Sequence, residues 1–396
     1  MPSDTSLDNP QNLKGNWNYP TQMIFGPGRI DKLAQACSSL GMTRPLLITD
    51  PGLAGLPMVK AAIAANEAEG LPTGLFSAVK PNPVGHNVEE GVAAYKTGGH
   101  DGVIAFGGGS GLDCAKAVAL MVGQTRPLWD FEDKGDNWKR VDPDGIAPIV
   151  AVPTTAGTGS EVGRASVIVE EATHTKRIIF HPKMLPSTVI SDPELTVGLP
   201  PNITAATGMD ALAHCLEAYC APGYHPMAEG IAVEGIRLVK DWLPEAVKDG
   251  KNLAARAHML AAASMGATAF QKGLGAIHSL SHPVGAIYDT HHGLTNAVFM
   301  PYVLAFNRPA IEDKMTRLAA WLGLPKPSFD AVQKWVLDLR AELLIPEKLD
   351  GLGVGDDRID EIAQMAAEDP TAPTNPIPAG APEMRQMFEA ALEGRV

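Results

Sequence analysis

The sequence predicts an α/β protein in two parts, an N-terminal Rossmann-like domain built on a parallel sheet and an all-α domain after it. Three observations carry this prediction. From Met23 to about Ile190, short apolar β-rich runs alternate with amphipathic stretches, the pattern of βαβ units. Two of those runs empty into glycine-rich turns. Beyond SDPELTVGLPP the chain turns Ala/Leu-rich with helical periodicity, broken by Gly and Pro, and keeps that character to its end.

The elements follow in order. The opening stretch MPSDTSLDNPQNLKGNWNYP is polar and rich in Pro and Asn, with neither a basic start nor an apolar core, so residues 1–16 predict a loose arm rather than a signal peptide. Residues 17–195 form the predicted dinucleotide-binding α/β domain. PLLITD (45–50) reads as a strand, Pro57 to Glu69 as a helix, GLFSAV (74–79) as a strand and His86 to Lys96 as a helix. DGVIAFGGGSG (101–111) is a buried strand running into glycines, followed by a helix from Leu112 to about Val122. IVAVPTT (149–155), ASVIV (165–169), RIIF (177–180) and TVIS (188–191) are further short strands. Residues 196–396 form the predicted all-helical domain. No repeat at a fixed period is present, which excludes a solenoid.

Composition narrows the function. The formal net charge is −13 and Lys/Arg form no long runs, so a nucleic-acid backbone would be repelled. About 20 uninterrupted apolar residues would be needed to span a bilayer, and no segment supplies them. The four cysteines (Cys37, Cys114, Cys215, Cys220) show no CxxC spacing, which suits a reduced, cytoplasmic chain. Neither a nucleic-acid nor a membrane partner is therefore expected.

The glycine turns are the first chemical signal. In GGGSGLDCAK (Gly107 to Lys116) side-chain-free residues let a ligand approach the backbone, and the N–H groups of a helix start attract an anion such as a pyrophosphate; a plain tight turn is the alternative. PTTAGTGSE (153–161) also follows a strand and gathers hydroxyls around two glycines. Two such loops at the carboxyl ends of strands favour a nucleotide crevice. Asp50, ending an early strand, reads either as an acid facing a ribose 2′-OH or as a helix N-cap.

The second signal is in GMDALAHCLEAY (208–219). Asp210 and His214, four residues apart, share a helix face. Alone that spacing also fits a surface pair, but His278, His282, His291 and His292 follow, four of the eleven histidines within fifteen residues. Imidazoles plus a carboxylate, with no thiolate required, suit a divalent Fe or Zn ion. Spacing does not select among the histidines: His278 and His282 share a face, and His291 and His292 are adjacent.

Together GGGSGLDCAK, PTTAGTGSE, SDPEL, GMDALAHCLEAY and IHSLSHPVGAIYDTHHG, in this order, resemble the iron-containing (group III) alcohol dehydrogenase family of the dehydroquinate synthase-like superfamily. The likeness runs from about Phe25 to at least Tyr302. It implies an NAD domain, a helical metal domain and an active site in the cleft between them. By position it implies Asp210, His214, His278 and His292 as ligands of Fe2+, with Zn2+ or another divalent ion as a substitute. It places Gly107, Gly108, Gly109 and Ser110 at the pyrophosphate and Asp113, Thr154, Thr155, Thr158, Ser160 and Lys176 along the rest of the cofactor groove. Asp50 falls at the position tied to NAD preference, and His282 at the non-ligand histidine near the nicotinamide, the catalytic candidate. One departure stands out: His291 occupies the place of a usual proline.

The implied reaction is hydride transfer between NAD(H) and a small alcohol or aldehyde. A hydroxy-acid dehydrogenase of the 4-hydroxybutyrate type is the alternative within the family, with Arg164 a possible carboxylate partner or an ordinary strand-end residue. A lyase on the dehydroquinate-synthase-like scaffold would need cations for a phosphorylated substrate, and residues 205–220 and 273–298 contain neither Lys nor Arg. A purely structural metal usually draws on thiolates.

Overall fold

Six apolar runs of the N-terminal half pair side by side in the computed structural model, which describes residues 21–173 and 175–396. The arm predicted over residues 1–16 lies outside the described residues. The strands are β1 (Gln22–Phe25), β2 (Pro45–Ile48), β3 (Gly74–Phe76), β4 (Gly102–Gly107), β5 (Ile149–Pro153) and β8 (Thr188–Ser191), in the order β1-β8-β5-β4-β2-β3. Every pairing is parallel. Strands β2, β4, β5 and β8 are buried throughout, as expected of parallel strands covered on both faces. The crossovers run through α1 (Leu33–Ser39), α2 (Pro51–Ala54), α3 (Pro57–Ala68), α4 (Gly85–Gly98) and α5 (Gly109–Met121).

Two features of this unit differ from the sequence reading. ASVIV and RIIF do form strands, but β6 (Ala165–Glu170) and β7 (Thr175–Phe180) pair with each other as an antiparallel ribbon outside the main sheet. The helix predicted from Leu112 begins three residues earlier, at Gly109, so the glycine turn is itself the first turn of α5. Strand order places the switch point between β2 and β4: the chain leaves β2 toward β3 and leaves β4 toward β5. Ligands in open α/β sheets bind outside the carboxyl ends at such a point.

Contacts divide the chain into two units. The sheet unit comprises Pro20–Thr204 and Asp249–Ser264, and the helical unit Ala205–Lys248 and Met265–Val396. The helices are α6 (Pro201–Cys220), α7 (Pro226–Lys248), α8 (Leu253–Ala269), α9 (Ala276–Tyr288), α10 (His292–Trp321), α11 (Phe329–Glu342), α12 (Ile359–Glu368) and α13 (Ala381–Glu393). Helix α9 packs against α10 and α12, and α10 against α11 and α13. Among the described residues no helix is long and apolar enough to cross a membrane.

Candidate metal centre and nucleotide loops

Asp210 and His214 are each 3% exposed, which rules out the surface pair. Small residues allow this burial. The first turn of α10 lies so close to α6 that a Cβ at Gly293 would collide with the Ala206 carbonyl. Helix α9 carries His278 in its first turn; the chain then turns at Asp289, held at φ 51°, and α10 opens at His292. One ligand atom each from Asp210, His214 and His278 lies within 4.8 Å of the others. His292 Nε2 is 3.6 Å from the same Asp210 Oδ1 that stands 3.9 Å from His214 Nε2 and from His278 Nε2. Four atoms bearing lone pairs thus converge. Such a set repels itself when all four are unprotonated and is what a divalent cation with N/O ligands requires.

A second layer fixes these atoms. Glu217, two turns beyond Asp210 on α6, accepts hydrogen bonds from the Ile277 N–H at 2.7 Å and from His278 Nδ1 at 2.5 Å. With Nδ1–H so engaged, the Nε2 lone pair of His278 is directed at Asp210. Burial opposes charging of this imidazole, yet Glu217, with Asp210 and Asp369 adding to it, raises its pKa above the ordinary histidine value. His282 stacks on His292, ring centroids 5.5 Å apart, and its Nδ1 bonds Asp369 at 2.8 Å. Thr371 donates both its N–H and its hydroxyl to the other oxygen of Asp369. Burial alone would raise the Asp369 pKa, but His282 and Thr371 together hold it below the ordinary carboxylate value. His291 is exposed at the N-cap of α10, with φ −67°, a value that proline also adopts.

Glu217 was legible in principle, three residues past His214 on the same helix, and so was Asn296, four past His292, whose amide nitrogen lies 2.7 Å from Asp210 Oδ1. Asp369 was not: it meets His282 from 87 residues away, and nothing local marks it.

In the sheet unit the two glycine turns meet. Gly107 O accepts from the Thr154 N–H at 2.9 Å. A Cβ on Gly108 would stand 3.1 Å from Thr155, and one on Gly109 2.5 Å from the Thr158 hydroxyl. Among the described residues no side chain caps the N-terminus of α5, a start at which the first N–H groups have no partner within the helix. Gly108, Gly109, Ser110, Thr155 and Thr158 are partly exposed, whereas Gly107, Thr154, Asp113 and Ser160 are buried. Ser160 donates to Asp113 Oδ1 at 2.5 Å, and the Val167 N–H donates to its other oxygen at 2.9 Å. The Lys116 amine bonds the carbonyls of Ser160 and Ala165, tying α5 to this segment. Asp50 caps α2 through the Leu53 N–H at 3.0 Å, which leaves its second oxygen to other partners. Lys176 sits on β7 opposite Val169, partly buried.

The model of the iron-containing alcohol dehydrogenases matches residues 20–193, and that of the C-terminal domain of the Fe-containing alcohol dehydrogenase family matches residues 204–392. The chain belongs to the iron-containing alcohol dehydrogenase family. It is 38% identical to a 4-hydroxybutyrate dehydrogenase of Cupriavidus necator, over 94% of this chain and 99% of that one. Among solved structures it superposes on a 1,3-propanediol oxidoreductase with a TM-score of 0.90 and 32% identity, covering 96% of this chain and 100% of the other. A sulfoacetaldehyde reductase from Bifidobacterium kashiwanohense in complex with NAD+ superposes with a TM-score of 0.86 at 28% identity, over 96% and 99% of the two chains. As a member of this family the chain is an enzyme, a metal- and NAD-dependent oxidoreductase acting on alcohols.

Proposed function

We propose that this iron-containing alcohol dehydrogenase interconverts a small, uncharged alcohol and its aldehyde, with Asp210, His214, His278 and His292 holding the metal. The observation that carries the reading is the convergence of those four side chains, three of them buried and His292 partly so, on one point. When bound, the ion supplies Lewis acidity to the substrate oxygen and the nicotinamide takes or gives the hydride. The chain's own residues do the rest. Glu217 orients His278, and His282, steadied by Asp369, holds or moves the substrate proton at Nε2. Gly108, Gly109 and Ser110 at the open start of α5 bind the pyrophosphate; Gly107 gives that turn its shape. Thr155, Thr158 and Lys176 line the groove, while Thr154, Asp113 and Ser160, occupied with one another's loops, brace it. The free oxygen of Asp50 favours NAD(H), because a 2′-phosphate would face like charge.

A neutral substrate is favoured by the company that Arg164 keeps. Its guanidinium lies 5.6 Å over the Phe180 ring and faces Asp133, whose pKa burial raises above the ordinary carboxylate value while Arg164 offsets part of that rise. The dehydroquinate-synthase-like lyase is not favoured, since both family models are those of alcohol dehydrogenases. The four free, buried cysteines support a reducing, cytoplasmic setting, and a homodimer or larger homo-oligomer is the expected assembly.

The test is NADH binding and turnover by protein loaded with Fe(II) or Zn(II), across short aldehydes, diol-derived hydroxyaldehydes and semialdehyde acids. Turnover confined to the neutral substrates supports the reading. Preference for the acids would restore the hydroxy-acid alternative, and absence of NADH binding at stoichiometric metal would remove the whole assignment.

A further inference from the structure

One residue at the metal centre has no place in the reaction just described. Asn296, fully buried one turn after His292, brings its amide nitrogen to within 2.7 Å of Asp210 Oδ1, 3.2 Å of His278 Nε2 and 3.2 Å of His292 Nε2. A carboxamide nitrogen carries two hydrogens, yet three acceptor atoms face it. Its other half is the reverse: Oδ1 is buried with no hydrogen-bond partner among the described residues. The amide is thus over-subscribed at one end and idle at the other.

Electrostatics explains this orientation. Turned over, the amide would set its oxygen about where the nitrogen is, 2.7 Å from a carboxylate oxygen, and only a cation between or beside them would make that favourable. The orientation is therefore slaved to the charge at the centre. An acceptor-lined, cation-free centre calls for the N–H face, and a cation calls for the carbonyl face. Resting on the metal-site reading above, we propose that Asn296 is a positioning residue that holds Asp210, His278 and His292 converged in the metal-free protein and presents its carbonyl oxygen to the ion once the site is filled. The site is then assembled before metal arrives, and the residue that assembles it does not have to leave.

Zinc affinity, measured by chelator competition, and the melting temperature of the metal-free protein test this on three proteins: wild type, Asn296→Leu and Asn296→Asp. Leu fills the same space without a donor or acceptor, and it should lower the metal-free melting temperature and weaken zinc binding at least tenfold, within the range seen when groups supporting metal ligands are removed. Asp keeps an oxygen and loses the donor, so it should lower the metal-free melting temperature while leaving zinc affinity at or above that of wild type. Wild-type zinc affinity in the Leu variant would reduce Asn296 to a packing role and overturn the proposal. Asp weakening zinc as much as Leu would show that the N–H face stays turned inward with metal bound, and would overturn the reorientation. If wild type itself fails to bind zinc, the metal-site reading falls and takes this proposal with it; if wild type binds and the Leu variant is indistinguishable, only the role of Asn296 falls.

Discussion

Asp369 shows how a single side chain is tuned by partners that sequence spacing does not reveal. Its carboxylate is 9% exposed and carries bonds from His282 and from both donors of Thr371. Because the folded-state pKa lies below the unfolded value of about 3.9, this group adds stability that is complete above that value and is lost as pH falls through the lower, folded-state one. In Asp369→Asn the loss of melting temperature on acidification below pH ~4 should be smaller than in wild type. Scanning calorimetry between neutral and strongly acid pH measures it, and unchanged acid sensitivity would discard the assignment. The neighbouring histidines separate by role. His278→Ala should empty the metal site, because an aspartate and two imidazoles hold the ion far more weakly, whereas His282→Ala should retain metal and alter the pH–rate profile. Metal analysis of the purified variants decides this; metal lost from His282→Ala and kept by His278→Ala would mean the ligand register is misassigned.

At the scale of elements, the start of α5 is the proposed pyrophosphate site, and among the described residues no side chain caps it. Gly109 is the constrained position there: an added methyl would stand 2.5 Å from the Thr158 hydroxyl and push the two glycine turns apart. Gly109→Ala should cost about 1–3 kcal/mol in stability, as overpacking does, and weaken NADH at least tenfold while metal content stays at the wild-type level. Fluorescence titration of NADH beside metal analysis gives both readings. An unchanged NADH affinity would move the pyrophosphate away from this turn. The brace behind the turn, Lys116 with Asp113 and Ser160, accounts for polar residues that the sequence places beside glycines but the fold buries.

For the whole molecule, the four cysteines report on integrity. Cys37 and Cys114 lie in the sheet unit and Cys215 and Cys220 in the helical unit, all buried and unpaired. Burial pushes each thiol up to about 12; nearby carboxylates add to this for Cys37 and Cys114, and Lys314 and Lys272 pull against it at Cys220. The thiolate is the reactive form. A chromogenic disulfide reagent at pH ~8 should therefore find no reactive thiol in the native protein and four after denaturation. A thiol that reacts rapidly before denaturation would show that one of the two units opens locally far more readily than this packing allows.

The sequence by itself determined what is periodic or local. Alternating apolar runs set the parallel sheet, strand-then-glycine set both glycine turns, and the four-residue spacing put Asp210 and His214 on one helix face. Each of these is a property of a few neighbouring residues, and β2, β4, β5 and α6 appear where the patterns lie. Tertiary structure alone decided the pairings. A strand's composition does not say which neighbour it joins, so β6 and β7 read like sheet strands yet pair as a separate ribbon, and the four residues of β1 carry too little pattern to mark a strand without β8 beside them. His292 is set apart from His291 by where α10 begins, and His278 from His282 by what each meets: His278 Nε2 stands 3.9 Å from Asp210 Oδ1, while His282 bonds Asp369. Asp369 reaches His282 only because α12 packs on α9. Hydrophobic periodicity records which face of an element is covered, whereas the identity of what covers it depends on contacts between residues far apart in the chain, and those are fixed only when the helices close on one another.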